Sequence, residues 1–169
     1  MRSLGYRDLD QEQTFALSLH DVTPGYVRDM NALGYSDIKL DKLMAMRIHG
    51  VSPEFVRETR GLGLKTDSID QLIAMRIHGV SPDFVKDIKA AGLESNNIDK
   101  LIAFRIHGVS ADFVKQVRSL GFPKVSSDQL VAMRIHGITP EFIQKMAGRG
   151  MKDLSIDQLV SLKIHGIAN

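Results

Sequence analysis

All six histidines of this chain are spaced 29 residues apart, and this spacing constrains the fold more than any other feature of the sequence. They are His20, His49, His78, His107, His136 and His165. A glycine row directly follows five of them, at Gly50, Gly79, Gly108, Gly137 and Gly166. Self-similarity at a fixed period, with no insertion between the copies, is the signature of a tandem-repeat fold.

The repeat boundaries follow from this period. We place full repeats at 21–49, 50–78, 79–107, 108–136 and 137–165, with a partial repeat at 1–20 and a tail at 166–169. Neither end carries the polar capping repeat that repeat proteins normally need for solubility. We therefore expect that the chain is a segment of a longer array, or that its ends are covered by self-association into a homo-oligomer.

Each repeat is predicted to form two short helices, which we call helix A and helix B. One helix A has Ser68 as its N-cap and stops at Gly79, which permits a left-handed backbone. Helix B follows at once, with Ser81 as N-cap and Pro82 as the first helical residue. Its apolar residues recur on one face until Gly92.

Helices of about ten residues are marginal in water when isolated, so each repeat must be stabilised by its neighbours. Stability is then approximately a sum of interfaces between adjacent repeats. The sequence predicts an all-α fold in which the two-helix repeats stack as a short α-solenoid.

Three apolar rows of helix A are expected to face the core. They are Leu43, Leu72, Leu101, Leu130, Leu159; Met44, Ile73, Ile102, Val131, Val160; and Ile48, Ile77, Ile106, Ile135, Ile164. Helix B is more amphipathic, with an aromatic row at Tyr26, Phe55, Phe84, Phe113 and Phe142. We therefore expect helix B to form the outer, wetter layer.

We interpret the histidines and the glycines that follow them as structural rows at the ends of the A helices. These residues are His49, His78, His107, His136 and His165, with Gly50, Gly79, Gly108 and Gly137. Equivalent atoms of stacked helices lie on the order of 10 Å apart, whereas zinc ligands lie near 2 Å from one ion. No metal site is expected in this row. The alternative is a pH-sensitive role in stacking, because histidine titrates near neutrality.

A row of cations lies on the apolar side of helix A, at Arg47, Arg76, Arg105, Arg134 and Lys163. A charge in that position must reach water or a carboxylate. Our preferred interpretation is an ion-pair ladder, with Glu54, Asp83, Asp112 and Glu141 or with Asp41, Asp70, Asp99, Asp128 and Asp157. The alternative is a groove lined with cations for an acidic partner. The basic residues of helix B alternate with acidic ones, as on a solvated face.

No catalytic or cofactor-binding constellation is found in the sequence, so we expect no enzyme activity and no cofactor. The chain has no cysteine, which excludes a disulfide framework and a thiolate metal site. Neither a nucleophile elbow nor a phosphate-binding glycine loop occurs. Active sites are usually singular, whereas the carboxylates and histidines here recur in every repeat. The net charge of +2 gives no strong attraction to nucleic acid or anionic lipid.

The segment from Met46 to Val56, which returns as Met75 to Val85, has the core Ile-His-Gly-Val-Ser-Pro-acidic-Phe-Val. It resembles a short bacterial tandem repeat found in C-terminal extracytoplasmic extensions of BlaR1/MecR1-like membrane peptidases. The resemblance implies an accessory sensing or protein-interaction role and carries over no catalytic residue. It also hints at an extracytoplasmic location, although the chain shows no signal peptide and no membrane span.

The order helix, short Gly-containing turn, helix is also similar to the helix-hairpin-helix motif, which binds DNA phosphate at the start of its second helix. That resemblance implies non-sequence-specific DNA binding as an alternative function. Ser52, Ser81, Ser110 and Thr139 stand where that motif usually has its second glycine. Glu54, Asp83, Asp112 and Glu141 add negative charge where phosphate would bind. We therefore favour a protein partner over nucleic acid.

Overall fold

The computed structural model describes residues 1–93 and 96–166 of the chain. Within these ranges every regular element is helical, which confirms the predicted all-α fold. Of the predicted tail 166–169, residues 167–169 lie outside the described part.

The α-helices follow one another in the predicted alternation, after a short 3₁₀-helix at Arg2–Leu4. They are α1 (Gln11–Leu19), α2 (Pro24–Ala32), α3 (Leu40–Ile48), α4 (Pro53–Gly61), α5 (Ile69–Ile77), α6 (Pro82–Ala90), α7 (Ile98–His107), α8 (Ala111–Ser119), α9 (Ser127–Ile135), α10 (Pro140–Gly148) and α11 (Ile156–Ile164). The odd-numbered helices are copies of helix A, and the even-numbered helices are copies of helix B.

Ser68 caps the start of α5 as the sequence predicts and Ser52 caps α4 in the same way, whereas α3 begins after Lys39 without a side-chain cap. The hydroxyl of Ser52 accepts a hydrogen bond from the Phe55 amide at 3.1 Å, and Ser68 accepts one from the Gln71 amide at 3.3 Å. Each bond satisfies one of the first-turn N–H groups that have no partner within the helix. Proline at the first position of α4 leaves no amide unpaired there.

The turn from helix A to helix B depends on glycine. Gly79 has a φ of 68°, a left-handed conformation that costs an L-residue with a side chain about 1 kcal/mol or more. The Val80 amide then donates to the Met75 carbonyl at 2.7 Å, which completes a Schellman ending. Gly50, Gly108 and Gly137 also have positive φ, so this row fixes the tight reversal in each repeat.

The chain divides into two compact units, Met1–Pro82 and Asp83–Asn169. The division falls in the first turn of α6, inside the predicted repeat 79–107. In the first unit α3 contacts α5 and α2 contacts α4. In the second unit α9 contacts both α7 and α11, and α8 contacts α10. Equivalent helices of adjacent repeats therefore stack within each unit.

Each unit has an aliphatic core to which both helices contribute. The predicted leucine row of helix A is buried: Leu43, Leu72, Leu101, Leu130 and Leu159. The row at Met44 is only half-buried at most of its positions, although Ile73 is buried. Helix B buries Val27, Val56, Val85, Val114 and Ile143 together with most of the aromatic row.

The expectation that the third apolar row of helix A faces the core is wrong. Ile48, Ile77, Ile106, Ile135 and Ile164 are between 55% and 61% exposed, and Leu19 at the equivalent place in the partial repeat is 66% exposed. The core position is taken instead by Met46, Met75, Phe104 and Met133, all almost completely buried. Helix A therefore has an exposed apolar face, and helix B is not the outer layer of a buried helix A.

Two tyrosine hydroxyls further link neighbouring repeats of the first unit. Tyr6 donates to the Ile38 carbonyl at 2.6 Å, and Tyr26 donates to the Val51 carbonyl at 2.9 Å. Burial of Tyr26 raises its pKa to about 12, because the charged phenolate would lose its solvation.

Candidate interaction surface

The cation row of helix A forms a joint between adjacent repeats. In the first unit, the guanidinium carbon of Arg76 lies 5.1 Å from the ring centre of Phe55, which belongs to helix B of the same repeat. In the second unit, Arg105 and Arg134 lie 5.0 Å from the ring centres of Phe84 and Phe113. Such cation–π contacts contribute about 0.5–2 kcal/mol each, depending on desolvation.

The same arginines bind the helix A ends of the preceding repeats. Arg76 Nε donates to the His49 carbonyl at 3.2 Å, and Arg134 Nε donates to the His107 carbonyl at 3.2 Å. The last carbonyls of a helix have no partner within the helix, and they carry the negative end of its dipole. A cation from the next repeat therefore donates a hydrogen bond to such a carbonyl and offsets the negative end of the helix dipole.

A side chain in place of the glycine would also approach the cation at this joint, so the guanidinium would have to shift. A Cβ on Gly50 would lie 2.9 Å from Arg76 Nη2, and one on Gly108 would lie 2.9 Å from Arg134 Nη2. The glycine, cation and aromatic rows thus meet in one contact, although they are widely separated within each repeat. At Gly137 a Cβ would meet Lys163 only at 3.7 Å, because the last cation of the row is a lysine.

Among the described contacts, Arg47, Arg76 and Arg134 are not held by the predicted ion-pair ladder. These arginines stack on rings and bind carbonyls, and neither of the two expected acidic rows supplies the carboxylate that pairs with Arg47. That carboxylate belongs to Asp21, which lies in the turn after α1. The physical reason is that a planar guanidinium can cover a ring face while the N–H groups at its edge donate hydrogen bonds.

The histidines lie at the end of helix A, as predicted. His49, His78 and His136 are the C-cap residues of α3, α5 and α9, and their rings are exposed or half-buried. At His49 and His107 the contact to the next repeat is made by the backbone carbonyl and not by the ring.

Helix B has a related joint that the sequence did not suggest. Arg60 donates from Nη1 to the Leu33 carbonyl at 2.8 Å, and Arg118 donates to the carbonyls of Ala91 and Gly92. These arginines were expected on a solvated face. Arg57 and Lys86 do match that expectation, because they pair with Glu54 and Asp83 on the same helix.

The start of helix B, where a helix-hairpin-helix motif would bind phosphate, carries stabilised negative charge. A hydrogen bond from its own backbone amide lowers the pKa of Glu54, and one from the Thr139 hydroxyl lowers the pKa of Glu141. Ser52 and Thr139 already accept the amide hydrogens of Phe55 and Phe142. These amides are therefore not free to bind a phosphate.

The exposed isoleucines form the apolar surface that we call the isoleucine row: Leu19, Ile48 and Ile77 in the first unit, and Ile106, Ile135 and Ile164 in the second. Isolated exposed apolar residues are normal in soluble proteins, but a recurring set is a candidate binding surface. By contrast, one exposed position of helix B changes its residue type among repeats, from Glu58 to Gln116 and Lys145. The isoleucine row varies only between leucine and isoleucine.

The face of helix A that carries this row begins with an acidic residue. At about 100° per residue, Asp70, Ala74 and Ile77 lie on one side of the helix. The acidic row at the helix starts is exposed at Asp41, Asp70, Asp99, Asp128 and Asp157. The cation row and the histidines lie at the opposite ends of the same helices.

Lysines partly neutralise the acidic end. Lys42 pairs with Asp70 in the first unit, and Lys100 pairs with Asp128 at 3.3 Å in the second. The hydrogen bond to Asp70 raises the pKa of Lys42.

Two kinds of feature are absent from the part of the chain that the structure describes. Across residues 1–93 and 96–166, no three histidine or acidic side chains come together in a way that could hold a metal ion. In the same ranges no helix is long and apolar enough to span a bilayer, since the helices have nine or ten residues.

Neither protein-family models nor curated proteins give a match to this sequence.

Two features of the site could not be derived from the sequence, namely which apolar row of helix A is exposed and what the cation row contacts. Helix A is apolar over most of its circumference, so hydropathy alone does not say which apolar row is exposed. Leu72 and Met75 lie on one apolar side of the helix and Ile73 and Ile77 on another, yet Ile73 is buried and Ile77 is exposed. The cation–ring pairing joins residues of different helices, and the bond to the histidine carbonyl joins adjacent repeats, so a pattern within one helix reveals neither contact.

Proposed function

We propose that this chain is a non-catalytic helical repeat scaffold that binds a protein partner through the isoleucine row. The observation that carries the proposal is the exposure of a leucine or isoleucine at the same place in every copy of helix A. Packing within the chain does not explain an apolar residue at a position that is more than half exposed. Burial against another protein would give these side chains the apolar environment that they lack.

The resemblance to the C-terminal repeats of BlaR1/MecR1-like membrane peptidases supports an accessory role of the same kind. In that role the scaffold contributes a binding surface to a sensing system, and the chemistry belongs to another protein. The absence of a recognised catalytic motif agrees with this role but does not carry the proposal.

The experiment compares two four-site variants. One replaces Ile48, Ile77, Ile106 and Ile135 with serine, and the control replaces the exposed helix B residues Arg28, Glu58, Asp87 and Lys115 with serine. The wild-type chain and the control are expected to retain a common set of proteins from an extract of the source cells, and the isoleucine variant is expected to lose it. Equal retention by all three chains would contradict the proposal.

Duplex DNA provides a test of the alternative function. Fluorescence anisotropy with a labelled duplex at about 50 mM and 200 mM salt distinguishes the two, because phosphate contacts weaken steeply with salt. We expect no binding at either concentration, since Glu54 and Glu141 hold negative charge at the helix B starts. Salt-sensitive binding that Glu54→Gln strengthens would favour the DNA function instead.

A further inference from the structure

We propose that the second unit holds a small-molecule site for a zwitterion of the size of a free amino acid with an apolar side chain. The site is the groove between α6 and α8, a cavity of about 350 Å³. This volume is in the range of small-molecule pockets in proteins. No residue of the isoleucine row lines the cavity, so the site is separate from the proposed protein-binding surface.

The groove lies where one repeat departs from the others. Helix B starts with proline in α2, α4, α6 and α10, whereas α8 starts with Ala111. Three aromatic rings of helix B that are followed 27 residues later by a proline are buried: Tyr26, Phe55 and Phe113. Phe84, which is followed by Ala111, is only half-buried, and both residues line the groove. The position that would follow Phe142, residue 169, lies outside the described part of the chain.

The missing proline ring thus explains the apolar part of the groove. Alanine lacks the pyrrolidine ring, so the side of Phe84 next to Ala111 stays open. Arg105 already lies over the Phe84 ring, with its guanidinium carbon 5.0 Å from the ring centre. A ligand with a small apolar side chain would pack between the ring edge and Ala111, where other repeats carry proline.

The charged side chains of the groove are less engaged than their equivalents in other repeats. In α4 and α6 the acidic residue of the first turn pairs with a base three positions later, at 3.1 and 3.0 Å: Glu54 with Arg57 and Asp83 with Lys86. In α8 the same two positions hold Asp112 and Lys115. Among residues 1–93 and 96–166 neither of them has an ion-pair partner, and both line the groove together with Asp87 of α6.

This set of charges indicates the chemistry of the ligand. The lining carries two carboxylates, Asp87 and Asp112, and two cations, Arg105 and Lys115. A ligand with one net charge would be attracted by one of these sets and repelled by the other. A zwitterion is complementary to both, with its ammonium group beside the aspartates and its carboxylate beside Lys115.

Titration of the full chain with L-proline, followed by two-dimensional amide NMR, tests the proposal. We expect shifts confined to residues 84–90 and 110–115, with a dissociation constant of about 0.1–1 mM, which suits a ligand of few heavy atoms. Pyrrolidine has the same ring and no carboxylate, so it is expected to bind at least about 5-fold more weakly. Absence of shifts with about 20 mM L-proline, well above that range, would overturn the proposal.

Ala111→Pro closes the groove without a risk to the fold. Proline is well tolerated at the first helical position, and it occupies that position in α4 and α10. The variant is expected to bind L-proline at least about 10-fold more weakly than the wild type, because its ring would cover Phe84. Unchanged binding by a folded Ala111→Pro variant would show that the ligand lies elsewhere.

Two further variants separate the charges from the space. Lys115→Gln keeps the groove and is expected to weaken L-proline binding at least about 5-fold while leaving pyrrolidine binding unchanged. Pro140→Ala opens the equivalent space beside Phe113, where Gln144 stands in place of the lysine and Gln116 in place of one aspartate. It should add no second set of shifts. A second set there, or equal weakening of both probes by Lys115→Gln, would contradict recognition of a zwitterion.

Discussion

At the scale of single residues, the joint between repeats explains three sequence rows with one contact. An arginine covers an aromatic ring, donates to the carbonyl that ends the previous helix A, and passes directly over a glycine. Because each of these residues restricts the positions of the others, substitution of any one is expected to weaken the contacts of the rest. This coupling leads to two residue-level predictions.

Gly50→Ala is expected to lower the free energy of unfolding by about 1–3 kcal/mol. The alanine would have to adopt a φ of 71°, and its Cβ would lie 2.9 Å from Arg76 Nη2. Gly61→Ala is the matched control, because Gly61 ends α4 and an added Cβ there meets nothing within 4 Å. Urea unfolding measures both, and equal losses would contradict the steric argument.

Arg134→Ala is expected to destabilise the chain by about 1–2 kcal/mol, through loss of the contact with Phe113 and the bond to the His107 carbonyl. Arg134→Lys should recover part of this loss, since Lys163 stacks on Phe142 with its Nζ 4.9 Å from the ring centre. Arg57→Ala, on the exposed side of α4, should change stability by less than about 0.5 kcal/mol. Thermal or urea unfolding ranks the three variants by stability. A loss for Arg57→Ala as large as that for Arg134→Ala would contradict a stabilising role of the joint.

At the scale of helices, the ends were predictable and the orientation of helix A was not. Ser68, Pro82 and Gly79 act through local backbone chemistry, so their roles can be derived from a few neighbouring residues. The outward direction of Ile77 depends on which apolar side of α5 meets α3, and that is a tertiary choice. The ion pairs expected for Arg76 failed for the same reason, because Phe55 lies on a different helix and the His49 carbonyl lies in the preceding repeat.

The acidic residue at the start of helix B gives a prediction about pH. Hydrogen bonding lowers the pKa of Glu141, so its carboxylate stabilises the fold above the unfolded pKa of about 4.3. This contribution is lost as pH falls through the lower folded pKa. Glu141→Gln is therefore expected to reduce the melting temperature at pH 7 and to change it little at about pH 2.

Glu58→Gln is the control for that measurement, because Glu58 lies on the exposed side of α4, away from the helix start. Its melting temperature should follow the wild type at both pH values. If the difference between Glu141→Gln and the wild type were as large in acid as at pH 7, the hydrogen bonds of the ionised carboxylate would not be its source.

At the scale of the whole molecule, the named contacts between repeats connect residues only 25 to 32 positions apart. Stability should therefore be distributed over neighbouring interfaces, as in other repeat proteins. The fold class and the repeat length could be derived from the sequence because every copy carries the same helix signals. The exposed surface could not, since burial is decided by how whole repeats stack.

The proposed function depends on the isoleucine row lying outside the core of the chain. Urea unfolding of Ile135→Ala and Leu130→Ala tests it most directly, with both residues on α9 and with the protein kept at a concentration where it is monomeric. The account predicts a loss below about 1 kcal/mol for Ile135→Ala, which is 56% exposed, and about 2–5 kcal/mol for the fully buried Leu130→Ala. A loss for Ile135→Ala as large as that for Leu130→Ala would show that the row is core and would contradict the account.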